Sequence, residues 1–374
     1  MKVVHLISGG DTGGAKTHVL SLARELQKTI PVRLICFMEG PFFNEARTLG
    51  LDIQLLKQRR RADFSVLREL VRIVKAERYD IVHAHGARAN LNVALVKRRL
   101  GVPCITTVHS DYRLDFIGNI YKALVYTPLN SVALRHFDYY VTVARPVREV
   151  LIKRGFPAAR IFTITNGIDF EARLNTPPRA AALAAAGLGI PPNAVLIGIV
   201  GRLAPVKDHP TFLRAAATVL RERPDAHFLI IGDGEERQRL EELTAKLGIA
   251  GRVHFAGYHP DPNPLMSALD INVLTSRNEG GLPYALLEGA RLRLATVSTT
   301  VGGVRDMIRD GETGLLFAPG DDAALARHLL ALLDDPARRR QLGEDLYQYA
   351  NRHFSLRQMA EQQLAVYRHI IGED

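Results

Sequence analysis

Two carboxylates nine positions apart, Glu279 and Glu288, flank a predicted helix start within residues 275–303, TSRNEGGLPYALLEGARLRLATVSTTVGG. An apolar run with strand character ends at Thr275, and Gly280-Gly281-Leu282-Pro283 breaks it and opens a helix with proline in its first turn. The helix tip offers backbone N–H groups, those of Tyr284 and Ala285, and a partial positive charge, a combination that suits a diphosphate. One carboxylate can then face a ligand at the tip while the other reaches further along it. The ordinary alternative is a dipole-stabilised Glu279 and a solvated Glu288, and a short motif alone does not decide between them.

Three further clusters bear on that choice. Arg202 and Lys207 lie in GRLAPVKDH, directly after the apolar run Val195–Val200. An arginine fork and a mobile lysine charge divide sensibly the work of binding a diphosphate that becomes a leaving group. Near the N-terminus, Gly9-Gly10-Asp11-Thr12-Gly13-Gly14-Ala15-Lys16-Thr17-His18 follows the first strand-like run and leads into an amphipathic segment. Glycine pairs there let the backbone approach a ligand at the mouth of a βα unit. Their spacing departs from G-x-G-x-x-G, which weighs against a nicotinamide dinucleotide, and a turn without a ligand stays open. His83, His85 and His109 stand at or just after strand ends in DIVHAHGARAN and TTVHSDYRLD. His-x-His alone is poor evidence for a metal. His109 can instead donate to a sugar hydroxyl, and one or both of His83 and His85 read as hydrogen-bonded structural residues.

These clusters need elements to hold them. Thirteen short apolar runs alternate with amphipathic segments, the sign of parallel sheets with crossover helices. The runs are Val3–Ile7, Val32–Phe37, Asp52–Leu55, Ile81–Ala84, Cys104–Val108, Tyr139–Val143 and Ile161–Ile164, then Val195–Val200, His227–Ile231, Val253–Phe255, Ile271–Thr275, Ala295–Ser298 and Gly314–Phe317. Two doubly wound α/β domains follow. The boundary is expected near residue 172, with residues 1–172 as the first domain, 173–354 as the second, and the amphipathic segment 355–374 packing back on the first.

The chain has 374 residues, 47% of them hydrophobic, and no Trp, which suits an α/β protein with a sizeable core. No apolar run approaches the ~18 residues of a membrane span, and MKVVHLISGG reads as a first strand and not a signal peptide. Cys36 and Cys104 lie inside apolar runs and read as small core residues of a reducing cytoplasm. Residues 1–170 hold 26 Lys and Arg against 14 Asp and Glu, a surplus of twelve, while the remainder carries a deficit of two. Lys57, Arg59, Arg60, Arg61, Arg68, Arg72 and Lys75 are the densest part. A basic first domain suits an anionic acceptor or membrane surface, equally a merely solvated face. Nucleic acid is not expected, because no recognisable module is present.

Taken together, GGAKTHVLSLAREL, DIVHAHGARAN, TVHSDY, TNGID, GRLAPVKD, GDGEER, the E…LPYALLE segment and TVGGVRDMI resemble, in order and over nearly the whole chain, the retaining glycosyltransferases of family 4. The resemblance implies the GT-B fold, two Rossmann-like domains facing across a cleft. It also implies transfer of a sugar from a UDP- or GDP-sugar to a sugar, lipid-linked or other small acceptor, with no metal or other cofactor. By the same resemblance Arg202 and Lys207 would neutralise the diphosphate, Glu279 would contact the donor sugar with His109 beside it, and Glu288 would hold the ribose. Gly13 and Gly14 would approach the phosphate, Tyr284 and Ala285 would offer amides to it, and Val253 and Tyr258 would lie near the base. His85, Lys16 and Arg113 are assigned to the acceptor side. The implied setting is cell-envelope synthesis on the cytoplasmic side, peripheral to the inner membrane face. The family places seven residues between its two glutamates where this chain has eight, and its Gly-Gly-Val-Pro-Glu appears here as Gly302-Gly303-Val304-Arg305-Asp306. A nucleotide-sugar 2-epimerase on the same fold, or a binding protein that has lost catalysis through a displaced Glu279, are the competing readings.

Overall fold

A computed structural model describes residues 1–10, 13–58, 63–113, 120–174 and 176–373. Asp11, Thr12, Arg59, Arg60 and Arg61, named above, lie outside the described residues. The chain divides into two compact units, one of Met1–Gly167 with the stretch from Leu356 onward, the other of Ile168–Ser355.

Each apolar run becomes a strand. In the first unit these are β1 (Val3–Ile7), β2 (Val32–Cys36), β3 (Ile53–Leu55), β4 (Ile81–His85), β5 (Cys104–Val108), β6 (Tyr139–Thr142) and β7 (Ile161–Thr163). They form one parallel sheet in the order β3-β2-β1-β4-β5-β6-β7. The second unit holds β8 (Leu196–Val200), β9 (His227–Ile231), β10 (Val253–Gly257), β11 (Ile271–Leu274), β12 (Ala295–Thr299) and β13 (Leu315–Phe317), in the order β10-β9-β8-β11-β12-β13. Every residue of β1, β4 and β5 is buried, as is every residue of β9, β11 and β12. Strands covered on both faces read as continuous apolar runs, which is why the sequence shows them so clearly.

Strand order reverses between β1 and β4 in the first sheet and between β8 and β11 in the second. The loops leaving the C-terminal ends of strands at such a switch point splay apart and form the usual ligand crevice of an open parallel sheet. Gly9, Gly10 and His85 stand at the first switch; Arg202, Lys207 and Glu279 follow the strands of the second.

The changeover between units falls at Gly167–Ile168, ahead of the boundary expected near residue 172. Packing sets it. Ile168 donates its N–H to Phe354 O at 3.1 Å, and Ile168 and Phe170 bury among Leu286, Leu346 and Phe354 of the second unit. The chain returns at Leu356, and the helix Leu356–Ile371 packs on the helix Gly14–Leu26 of the first unit through Met359, Leu364, Tyr367 and Ile370. Cys36 and Cys104 are both fully buried, and neither is in a disulfide. Among the described residues no helix is long and apolar enough to cross a membrane.

Candidate functional site

In the second unit the loop after β8 and the loop after β11 are stitched to each other. Arg277 N donates to Val206 O at 2.8 Å, and Thr275 Oγ1 donates to Lys207 O at 2.7 Å. Between them Asp208 takes a left-handed conformation, φ 49°, which Asp tolerates better than most residues. Its carboxylate accepts from Thr211 Oγ1 at 2.8 Å and pairs with Arg277 Nε at 2.9 Å. This frame delivers Lys207 to Glu279. Lys207 Nζ lies 2.5 Å from Glu279 Oε1, and the same oxygen accepts from Ser276 Oγ at 2.6 Å. The doubled glycine therefore leaves Glu279 facing Lys207. Gly302 explains how: at φ 54° it approaches so closely that a Cβ would meet Glu279 O at 2.6 Å and Gly281 O at 2.9 Å. Gly303 N also donates to Gly281 O at 3.2 Å.

Arg202 is not drawn into this pair. Its exposed guanidinium engages Glu235, with Nη2 at 2.9 Å and Nε at 3.2 Å from one carboxylate oxygen. An exposed pair of this kind is worth ~1 kcal/mol or less, so a stronger anion can displace it.

The helix starts at Tyr284 and runs to Arg291, with Pro283 as its N-cap. Leu286 N already bonds to Pro283 O, which leaves the amides of Tyr284 and Ala285 ahead of the helix ladder. Glu288 is no solvated helix residue. Burial raises its carboxyl to about 7 against the pull of Arg291, with Asp261 adding to the rise. Tyr284, its neighbour one turn back, has a buried hydroxyl without a hydrogen-bond partner. Burial, reinforced by the Glu288 charge, pushes that hydroxyl well up. The structure does not bring Val253 and Tyr258 together. Val253 opens β10 at the far end from the ligand edge and packs in the core with Leu240 and Ile249, whereas Tyr258 follows β10 and is 73% exposed. The base-side reading of Val253 is therefore corrected: the side chain is core.

In the first unit the sequence underestimates the histidines. His5, His18, His83 and His85 are all buried, and His109 is half-buried with its Nε2 shielded. His83 is fully engaged, by Thr107 Oγ1 at 2.7 Å on Nε2 and by Tyr367 OH at 2.6 Å on Nδ1. Tyr367 OH also meets His5 Nε2 at 2.9 Å, and His5 Nδ1 meets His85 Nε2 at 3.0 Å. Burial lowers every one of these rings below the usual imidazole range, His5 to about 3 and His18 to about 4. One ring nitrogen of each of His5, His83 and His85 falls in a group within 4.8 Å of one another, an arrangement that a metal could use only by breaking these bonds. Neither His5 nor Tyr367 was recognisable from spacing; the register that sets His5 beside His83 is the signal that exposes them.

The remaining candidates scatter. Gly13, at φ 68°, caps the helix that Gly14 begins, with open space where a Cβ would point. Gly9 has a different reason to be glycine, since a Cβ there would strike Met38 O at 2.1 Å. Lys16 pairs with Glu45. Arg113 is exposed and its N–H donates to Asp111 Oδ1 at 3.0 Å, while Asp111 takes a two-pronged bond from Arg154 at 2.6 and 2.7 Å.

Two family models match the chain, one described as Glycosyltransferase Family 4 over residues 12–172 and one as Glycosyl transferases group 1 over residues 184–349. The chain is 30% identical over 306 residues to alpha-D-kanosaminyltransferase of Streptomyces kanamyceticus, covering 77% of each protein. It is 28% identical over 321 residues to UDP-Gal:alpha-D-GlcNAc-diphosphoundecaprenol alpha-1,3-galactosyltransferase of Escherichia coli, covering 81% of this chain and 80% of that one. In fold it is similar to the crystal structure of Anabaena HepE in complex with UDP-glucose, with a TM-score of 0.83 at 20% identity over 99% of this chain and 100% of the other.

Proposed function

The chain belongs to glycosyltransferase family 4, with the GT-B fold, and from that premise we propose that it moves a sugar from a UDP- or GDP-sugar to an acceptor hydroxyl with retention of anomeric configuration. The Lys207–Glu279 pair at the β8/β11 switch carries this reading. Charge builds on the diphosphate as it leaves. Lys207, the displaceable Arg202 and the amides at Tyr284 and Ala285 offer positive potential before the reaction begins, so they stabilise the transition state more than the ground state. Glu279 orients Lys207 and lies within reach of the sugar that this phosphate carries. In the proposed front-face step the bond from the anomeric carbon to the diphosphate oxygen breaks. The leaving oxygen takes the acceptor's proton, and the acceptor oxygen bonds on the same face. No step needs a metal.

The proposed acceptor is lipid-linked or otherwise associated with the cell envelope, at the cytoplasmic membrane face. The E. coli relative's name joins a UDP-sugar donor to a diphosphoundecaprenol acceptor. On the helix Phe64–Ala76 the exposed Phe64, Arg68, Arg72 and Lys75 recur at helical spacing on one face, and Leu124, Leu129 and Val132 are exposed on the helix Ile120–Leu134. Apolar side chains among cations suit docking at an anionic interface.

Arg202→Ala and Lys207→Ala should each lower turnover of the matching nucleotide sugar by about 10² to 10³, with parent turnover unchanged by EDTA. Both variants within about threefold of the parent would remove the assignment, and loss of parent activity in EDTA would remove the metal-free step.

A further inference from the structure

A single file of hydrogen bonds passes through the interior of the first unit. It runs from Thr107 Oγ1 to His83 Nε2 at 2.7 Å, from His83 Nδ1 to Tyr367 OH at 2.6 Å, from Tyr367 OH to His5 Nε2 at 2.9 Å, and from His5 Nδ1 to His85 Nε2 at 3.0 Å. Burial keeps the three rings neutral. A neutral imidazole has one N–H and one bare nitrogen, so the direction of each bond fixes the direction of the next. Thr107 Oγ1 has no other hydrogen-bond partner among the described residues. Each direction leaves one proton over. The reverse strands the Thr107 O–H, whereas the direction that starts at Thr107 carries the surplus to the far end of the file, where a bound group can accept it. Thr107 O–H donates to His83, His83 Nδ1–H to Tyr367, Tyr367 O–H to His5, and His5 Nδ1–H to His85 Nε2. His85 is left with its proton on Nδ1, an atom that is buried and has no partner.

A complementary atom belongs to a neighbouring ring. His18 gives its Nδ1–H to Asn166 Oδ1 at 3.0 Å, which leaves Nε2 as a bare lone pair, likewise buried and without a partner. His109 Nε2 is a third such atom. The ring centroids lie 5.0 Å apart for His18 and His109, 5.7 Å for His85 and His109, and 6.3 Å for His18 and His85. A buried donor and a buried acceptor on neighbouring rings match an alcohol, which gives one proton and accepts another; an anion would meet a bare nitrogen.

We propose that Tyr367 is a positioning residue that acts through His5 to hold His85 in its Nδ1–H form, so that His85 and His18 together grip one hydroxyl of a sugar or polyol substrate. The identity of the ligand rests on the glycosyl-transfer reading; the locked tautomer does not. If Tyr367 only fastened the final helix, either bond direction would serve and the state of His85 would not matter.

Long-range ¹H–¹⁵N spectra of the full-length protein labelled with ¹⁵N-histidine test this, because protonated and bare ring nitrogens resonate far apart. The parent should show His85 protonated on Nδ1 alone. Tyr367→Phe and Thr107→Val should each give a mixed or reversed His85, and Thr107→Ser should restore the parent pattern. A His85 unchanged in both Tyr367→Phe and Thr107→Val overturns the lock. In the second arm the parent is titrated with UDP, UDP-glucose, GDP-mannose, and glucose or myo-inositol in the presence of UDP. Movement of the His85 and His18 nitrogens with a nucleotide sugar but not with UDP places the hydroxyl on the donor; movement with the free polyol places it on the acceptor. Tyr367→Phe should weaken that ligand about tenfold, ~1.4 kcal/mol, and leave UDP affinity as it was. No movement with any of these ligands overturns the grip, and a parent that binds neither nucleotide sinks the glycosyl-transfer reading while the tautomer result stands.

Discussion

Glu288 occupies a place that favours its neutral form. Its carboxyl rises from 4.5 to about 7, mainly through burial, with Arg291 opposing and Asp261 adding. In the unfolded chain the group titrates at its ordinary value. Between about pH 4.5 and 7 the folded protein therefore holds a proton that the unfolded chain has released. The Glu288 contribution to stability falls as pH rises through that window, levels off above it, and changes by on the order of 3 kcal/mol in all, superimposed on the opposite slope of the buried histidines. Glu288→Gln should remove that contribution and leave the histidine slope in place. In urea melts without nucleotide it should match the parent below about pH 4.5 and exceed it by roughly 3 kcal/mol near pH 8. A side chain that costs stability at neutral pH is accounted for if its carboxylate accepts the ribose hydroxyls of the donor, so the same variant should bind UDP-sugar more weakly while melting later. Parallel pH profiles for parent and variant would contradict both the buried carboxyl and the trade against binding.

At the scale of elements, the loops after β8 and β11 act as one piece because backbone and side chains cross between them. Thr275 Oγ1 on Lys207 O is the central stitch, buried and made by the first residue beyond β11. Thr275→Val keeps the shape and removes the donor, so it should cost about 1 kcal/mol of stability. It should cost turnover disproportionately, because Lys207 loses its fixed path to Glu279; equal small losses in both would leave the loops independent. The sequence was eloquent about these elements. Parallel strands buried on both faces leave unbroken apolar runs, and glycine and proline mark the loops where Arg202, Lys207 and Glu279 stand. It was silent about neighbours in space. Nothing local says that β1 lies against β4, and only that pairing puts His5 beside His83 and lets Tyr367, 284 residues beyond His83, close the file. Val253 failed for another reason: its place near the base came from the resemblance, whereas it opens β10 at the end away from the loops and packs in the core.

Over the whole molecule, charge is divided as unevenly as the labour. The surplus of twelve basic residues lies entirely within residues 1–170, and the rest of the chain is slightly acidic. Within the first unit that surplus is joined by exposed apolar side chains, Phe64 beside Arg68 and Arg72, and Leu124 and Val132 two turns apart on their helix. Arg72 is paired with Glu69 and contributes less than its formal charge, but Lys57, Arg68 and Lys75 are exposed. Near an anionic surface each cation contributes ~1 kcal/mol, an attraction that salt screens within a Debye length of about 10 Å at 0.1 M. Apolar insertion is indifferent to salt. Flotation with phosphatidylglycerol-rich vesicles should therefore carry the protein at low ionic strength, carry much less near 0.5 M salt, and carry almost none when the vesicles are pure phosphatidylcholine. Leu124→Glu with Val132→Glu should weaken flotation further without changing affinity for the nucleotide sugar, since neither side chain belongs to the candidate site. Equal recovery on both vesicle types, or none on either, would leave the basic half a solvated surface and direct the search for the acceptor toward soluble sugars.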